Sequence, residues 1–346
     1  MKLKLLTIAV PSYNVEKTLP ATLDSLCAAD NDELVEVLVI NDGSTDGTRK
    51  IALDYAEKYP DTIALVDKEN GGHGSAVNAG IANAKGKYFK VADGDDTLDK
   101  DGLDSLIAMI PETDADLIVS DYKKVSLSDG GEETVHFPCV DYKKTYTFDN
   151  LPDEVYFDIH SITAKTEILR SSGMRLQEHT FYVDMEYAML MVPYIESIRF
   201  LEKNVYNYYI GNPQQSVDRS QFVKRYDDHT RVTQRMVAFA AQCKASEAQK
   251  TYIRRLAAKL CFTQYMISAF YDTDVKRGKE RLRQFDKWLG ATDRQLYDAA
   301  GASRYIRFLR STGFKVLVRG RFIKAAINSI YHVFKPFFGK KKKLTY

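Results

Sequence analysis

The chain has 346 residues, 45% of them apolar, enough to fill the core of one large α/β domain with a smaller appendage. Its four cysteines, Cys27, Cys139, Cys243 and Cys261, lie far apart with no C-x-x-C pair, which argues against a zinc knuckle or a disulfide framework and suits reduced thiols in a cytoplasm. The net charge of +2 hides an asymmetry: all twelve charged residues after Asp298 are basic, whereas the body up to and including Asp298 has 37 basic residues against 47 acidic ones.

The N-terminal stretch MKLKLLTIAVPSYN is apolar only briefly, is interrupted by Pro11 and lacks a small-residue cleavage site, so it reads as a first strand and not a signal peptide. No apolar run reaches the ~18 residues needed to cross a bilayer. Strands are predicted at Leu5 to Val10, Glu36 to Ile40, Thr62 to Val66 and Tyr88 to Ala92, with helices near Thr18 to Ala29, Thr48 to Lys58 and Ser75 to Ala84. Such alternation implies parallel strands with right-handed crossovers, and in open sheets of that kind ligands sit beyond the carboxyl ends of the strands. A further strand is expected at Asp116 to Ser120 and a hairpin tip around Asp129 to Glu133. From about Gln221 the pattern is mainly helical. The expected division is a catalytic domain over 1–220, a helical region over 221–312 and a basic amphipathic tail over 313–346.

The unusual residues cluster at the strand ends. Asp93-Gly94-Asp95-Asp96 ends the fourth strand, and Gly94 allows the turn that lets Asp93 and Asp95 converge on a hard cation such as Mn²⁺ or Mg²⁺. Three adjacent carboxylates repel one another unless a cation bridges them. The bland alternative is an acidic turn capping the next helix through Asp96 or Thr97. Asn41-Asp42-Gly43-Ser44 follows the second strand as a tight turn, where Asp42 can accept a hydrogen bond from a uracil imide. Tyr13 offers a face for a base to stack on, or is a partly buried aromatic. Glu69 to Ser75 opens a helix with backbone amides free to meet phosphate or ribose, and His73 there is either a donor contact or a solvated loop residue.

In order and spacing, T-I-A-V-P-S-Y-N, V-L-V-I-N-D-G-S-T-D-G-T and N-A-G-I-A-N-A-K-G-K-Y-F-K-V-A-D-G-D-D resemble the family-2 glycosyltransferases of GT-A fold. The resemblance implies a Rossmann-like, mostly parallel sheet followed by a mainly helical C-terminal region. It implies an inverting hexosyltransferase (EC 2.4) that uses a nucleotide-diphospho-sugar, preferably a UDP-sugar. Pro11, Tyr13, Asn14, Asp42, Gly72, His73 and Asp93 would bind the donor, with Asp93 and Asp95 holding Mn²⁺ or Mg²⁺. Asp184 would be the general base, with Glu186 as fallback; Val183 stands where the family usually has a carboxylate. Tyr208-Tyr209-Ile210 and Gln214 to Val217 resemble the segment that closes over the donor in relatives.

In the tail, Ile323, Ile327, Ile330, Phe334 and Phe337 recur at three- and four-residue intervals among basic residues, with Lys340 to Lys343 beyond Pro336. This pattern suits reversible attachment to an anionic membrane, placing the enzyme on the inner face beside a glycan or lipid-linked acceptor. A helix packed on the body or a homo-oligomer interface is the competing use. The acidic body argues against nucleic acid. Two other functions fit parts of the sequence. One is an inactive nucleotide-sugar-binding or membrane-associated assembly partner. The other is a haloacid-dehalogenase-like phosphatase with Asp93 as nucleophile, which requires that motif on the first strand of its domain.

Overall fold

Strand β1 (Leu6–Ser12) and strand β2 (Val35–Asp42) are buried along their whole length, as continuous apolar runs in a parallel sheet covered on both faces should be. Between them, helix α1 (Leu19–Leu26) buries Leu19, Leu23 and Leu26, spaced three and four apart, with Pro20 in its first turn, where a missing N–H costs nothing. Helix α2 (Thr48–Lys58) leads to β3 (Ile63–Lys68), and helix α3 (His73–Asn83) leads to β4 (Tyr88–Val91). The computed structural model describes residues 4–29, 32–211, 218–315 and 317.

Beyond β4 come β5 (Thr97–Leu98), α4 (Lys100–Met109), β6 (Leu117–Ser126), β7 (Glu132–Val135), β8 (Thr145–Tyr146) and β9 (Ile162–Lys165). They are followed by α5 (Thr166–Ser171), α6 (Asp184–Leu190) and the 13-residue strand β10 (Ile198–Ile210). Among the described residues the sheet runs β3-β2-β1-β4-β9-β6-β10-β5, with β7 on β6 and β8 on β10. Strands β3, β2, β1 and β4 are mutually parallel, whereas β9 is antiparallel to both neighbours. The sheet is therefore α/β and mostly parallel, as expected. The predicted hairpin tip turns through Gly130 at φ 70°, joining β6 to β7.

The register places the chemistry. Pairing of Ser12 with Asn41 and of Ala9 with Val91 aligns the carboxyl ends of β1, β2 and β4, so Asn14, Asp42 and Asp93 leave the sheet along one edge. The core beneath that edge is built from Leu6, Ile8, Val10, Val37, Val39 and Tyr88 with Leu23 and Leu103 from the helices, each side chain contributing about 1.5–3 kcal/mol by leaving water.

The chain forms two compact units, Met1–Leu151 with Tyr156–Asn212, and Pro152–Val155 with Pro213–Tyr346. The second is helical: α7 (Arg219–Lys224), α8 (Tyr226–Gln242), α9 (Glu247–Met266), α10 (Val275–Thr292), α11 (Arg294–Ala302) and α12 (Arg304–Ser311). A capping box of Ser246 and Gln249 starts α9, and fully buried Asp272 is neutralised by Arg277 and Arg281. The segment Gln214 to Val217 and the amphipathic repeat from Ile323 onward lie outside the described residues. Among the described residues no helix is long and apolar enough to cross a membrane.

Candidate active site

The loop after β1 is stapled to the loop after β2. Asn14 adopts φ 54°, and its Oδ1 accepts the Thr45 amide at 2.8 Å while its own amide donates to Ser44 Oγ at 3.1 Å. Pro11 is buried within β1, whereas Tyr13 is 51% exposed and free to present its ring face to solvent.

Asp42 is almost wholly buried, and its carboxylate organises the glycine loop. Oδ1 accepts from Lys68 Nζ at 2.7 Å and from the Gly71 amide at 3.0 Å; Oδ2 accepts from the Gly72 amide at 2.7 Å. These charge-assisted bonds fix the turn into α3. Gly72 sits at φ +81°, a conformation that L side chains rarely adopt. One residue on, His73 Nε2 lies 2.9 Å from Asp93 Oδ1, joining the glycine loop to the D-G-D-D turn.

That turn is an unbalanced cluster of negative charge. Burial works against the charge of Asp93, but the charge and hydrogen bond of His73, helped by His160, hold its carboxyl below the usual range. For His73 burial opposes the proton, while Asp93, Asp184 and Asp95 overcome it and raise the imidazole above its ordinary value. Burial and the Asp93 charge push Asp95 up to about 6, although its side chain remains open to solvent. Asp96 is pushed up to about 9 by burial and by its two neighbours. A divalent cation would relieve this repulsion, and the all-oxygen set of Asp93 and Asp95 suits Mg²⁺ or Mn²⁺.

Asp96 does not cap the next helix, the alternative raised by the sequence. Asp99 does so, accepting the Gly102 amide at 2.9 Å. The two-residue strand β5 intervenes and carries Asp96 inward, where it accepts from the Tyr206 hydroxyl at 2.7 Å and the Tyr209 amide at 2.8 Å. Both tyrosines lie on β10, whose register shifts around Asn204 before it pairs with β5. Tyr206, Tyr209 and Asp96 thus form a support for the turn that short-range patterns did not reveal. Lys90, fully buried one strand residue short of this edge, donates to the His160 carbonyl at 2.6 Å; burial lowers its pKa to about 7.

The segment preceding α6 is laid against the glycine loop. The His179 amide donates to the Gly71 carbonyl, and Asn78 of α3 bonds the Leu176 backbone at both its amide and its carbonyl, each at 2.9 Å. A Cβ on Gly74 would lie 2.2 Å from the Gln177 carbonyl, so only glycine permits this approach. The two carboxylates of α6 then diverge. Asp184 is exposed in the first turn, where a negative charge is favoured; Glu186 is fully buried, accepting from both the Gln177 amide and its side-chain amide. Val183 is buried beside them, so a core contact occupies the position of the usual carboxylate.

A doubly covered, mostly parallel sheet with an acidic turn and a glycine loop at its carboxyl edge is the architecture of GT-A transferases that use nucleotide-diphospho-sugars. Residues 7–172 match the family described as Glycosyl transferase family 2. This chain carries a family-2 glycosyltransferase domain. It is similar to Glycosyltransferase GlyA of Streptococcus pneumoniae serotype 4, 35% identical over 125 residues that cover 36% of this chain and 18% of that protein. The chain spans less than half the length of the curated relatives it matches. Among solved structures, S. aureus TarS 1-349 in complex with UDP-GlcNAc has a TM-score of 0.62 at 20% identity, covering 95% of this chain and 90% of that one. Mannosyltransferase PcManGT from Pyrobaculum calidifontis, in complex with GDP-Man and Mn²⁺, has a TM-score of 0.53 at 18% identity, covering 95% and 85%.

Asp93 ends the fourth strand in chain order and not the first, which removes the placement that a dehalogenase-like phosphatase would need.

Proposed function

We propose that this protein transfers a sugar, with inversion, from a nucleotide-diphospho-sugar, a UDP-sugar by preference, to a hydroxyl of a cell-surface glycan or lipid-linked acceptor. The observation that carries this reading is the His73–Asp93 contact, which brings the glycine loop and the D-G-D-D turn together at the edge that also holds Asp42 and Asn14. The preference for uridine draws support from the UDP-GlcNAc complex of TarS, and metal use from the Mn²⁺ complex of PcManGT.

In this reading Pro11, Tyr13, Asn14, Gly72, His73 and Asp93 bind the donor, with Asp42 holding Gly71 and Gly72 in place as well as facing the base. Asp93 and Asp95 hold Mn²⁺ or Mg²⁺, which when bound offsets charge on the departing diphosphate. Asp184 takes the proton of the acceptor hydroxyl, for it is the exposed carboxylate of α6 while Glu186 is occupied by Gln177. The basic tail brings the enzyme to the anionic inner face of the cell membrane as a peripheral protein.

The test is nucleotide diphosphate release from a panel of UDP-, GDP- and dTDP-sugars with Mn²⁺, beside Asp95→Ala. Release from one UDP-sugar that needs both the ion and Asp95 is expected. Donor binding with no turnover in the presence of acceptor would favour an inactive sugar-nucleotide-binding relative, and no binding at all would refute the proposal.

A further inference from the structure

His160 has no part in the reading above, yet its surroundings fix it firmly. It lies in the turn before β9, where its ring stacks on Tyr208 with centroids 4.2 Å apart and planes at 22°, and meets Tyr206 at 4.9 Å. Lys90 holds its backbone carbonyl from below. Among the described residues neither ring nitrogen has a hydrogen-bond partner, whereas one ligand atom each from His160, Asp93 and Asp96 lie within 4.8 Å of one another. Metal–ligand bonds of about 2.0–2.2 Å put neighbouring ligands roughly 3 Å and opposite ones roughly 4.2 Å apart, so three atoms that lie within 4.8 Å of one another share one ion after drawing together by about 1–2 Å. Each Asp96 oxygen accepts one hydrogen bond from β10 and keeps a further lone pair.

We propose that His160 binds the divalent cation of this site through a ring nitrogen, on its buried side with Asp93 and Asp96, opposite exposed Asp95, which holds the ion on the side of the incoming donor. This rests on the nucleotide-sugar reading and adds a selectivity to it. Carboxylates alone suit Mg²⁺ and Mn²⁺ alike, whereas an imidazole donor favours transition ions. The site should therefore prefer Mn²⁺ over Mg²⁺ because of His160.

The experiment is electron spin-echo envelope modulation on the 346-residue chain with Mn²⁺ and UDP, beside Mn²⁺ and Mg²⁺ titrations. Directly coordinated ¹⁴N is expected in the wild type. It should persist in His73→Gln, which controls for the other nearby imidazole, and vanish in His160→Gln. Mn²⁺ affinity should fall by roughly 10-fold or more in His160→Gln, and Mg²⁺ affinity by less. His160→Asn serves the same purpose if the glutamine variant does not fold. Bound Mn²⁺ without ¹⁴N coupling, or coupling lost only with His73→Gln, would overturn the assignment and leave the transferase reading standing. A wild type that binds no Mn²⁺ would remove the metal from the proposed function and His160's role with it.

Discussion

The Tyr206 hydroxyl donates to Asp96 Oδ2 at 2.7 Å and accepts the Asp93 amide at 3.0 Å, so one phenol on β10 secures two of the three carboxylate residues in the D-G-D-D turn. The ring is almost completely buried, and burial together with Asp96 pushes its own ionisation far above the ordinary tyrosine range. It acts as a fixed, neutral spacer.

Tyr206→Phe keeps the ring and deletes that oxygen, leaving a buried amide and a buried carboxyl each short of a partner. An unpaired buried polar group costs about 1–3 kcal/mol. Urea unfolding should show a loss of that size, accompanied by weaker Mn²⁺ binding. An unchanged midpoint would mean that water replaces the hydroxyl and that the support assigned to Tyr206 is wrong.

Asp184 and Glu186 should separate chemistry from stability. Asp184→Asn leaves the fold and donor binding intact but removes the proton acceptor, so kcat should fall by about 10²–10⁴-fold. Glu186→Ala instead strands the Gln177 amide in the interior and should lower unfolding free energy by about 1–3 kcal/mol. Steady-state kinetics on both variants, with calorimetry beside them, checks the assignment. A stable Glu186→Ala enzyme with the larger kcat loss would reverse it.

Much of the first ninety residues was legible because buried parallel strands and their covering helices leave strong local patterns: predicted Glu36 to Ile40 became Val35–Asp42, and predicted Thr48 to Lys58 is helix α2. The strand ends that carry Asp42 and Asp93 came with them. What did not show was anything set by distant pairing. Strand β5 has two residues, too few for periodicity, and the register that brings Tyr206 opposite Leu98 spans more than a hundred positions. Capping of the next helix by Asp96 or Thr97 therefore stayed open as an alternative, when Asp99 is the cap, and His160, in a turn without a motif, gave no signal except its residue type. Burial of Glu186 was foreshadowed only by its two-residue offset from Asp184.

Asp42 should prove to be an organiser of the glycine loop. Both its oxygens face donors, so the amide nitrogen of Asp42→Asn must oppose an N–H or the Lys68 ammonium. The expected result is a destabilisation of about 1–3 kcal/mol and a rise in donor KM larger than any fall in kcat, because the loop amides are displaced before chemistry begins. Equal donor affinity in the variant and the wild type, measured by titration with UDP, would contradict this.

The acidic turn should make both stability and metal affinity depend on pH. A carboxyl whose folded pKa exceeds its unfolded value keeps a proton that the unfolded chain has already lost, so rising pH favours unfolding between those two values. For Asp95 that window runs from the ordinary 3.8 to about 6, and for Asp96 from 3.8 to about 9. In the metal-free protein these groups should therefore lower Tm as pH rises from 4 towards 9. Mn²⁺ competes with the same protons, so its affinity, and the Tm gain that it confers, should increase across that range. Differential scanning fluorimetry at pH 5, 6.5 and 8, with Mn²⁺ and with EDTA, gives the comparison. The Mn²⁺-dependent gain should be smallest at pH 5 and should disappear in Asp95→Ala combined with Asp93→Ala. A gain that does not vary with pH would place the ion away from these carboxylates.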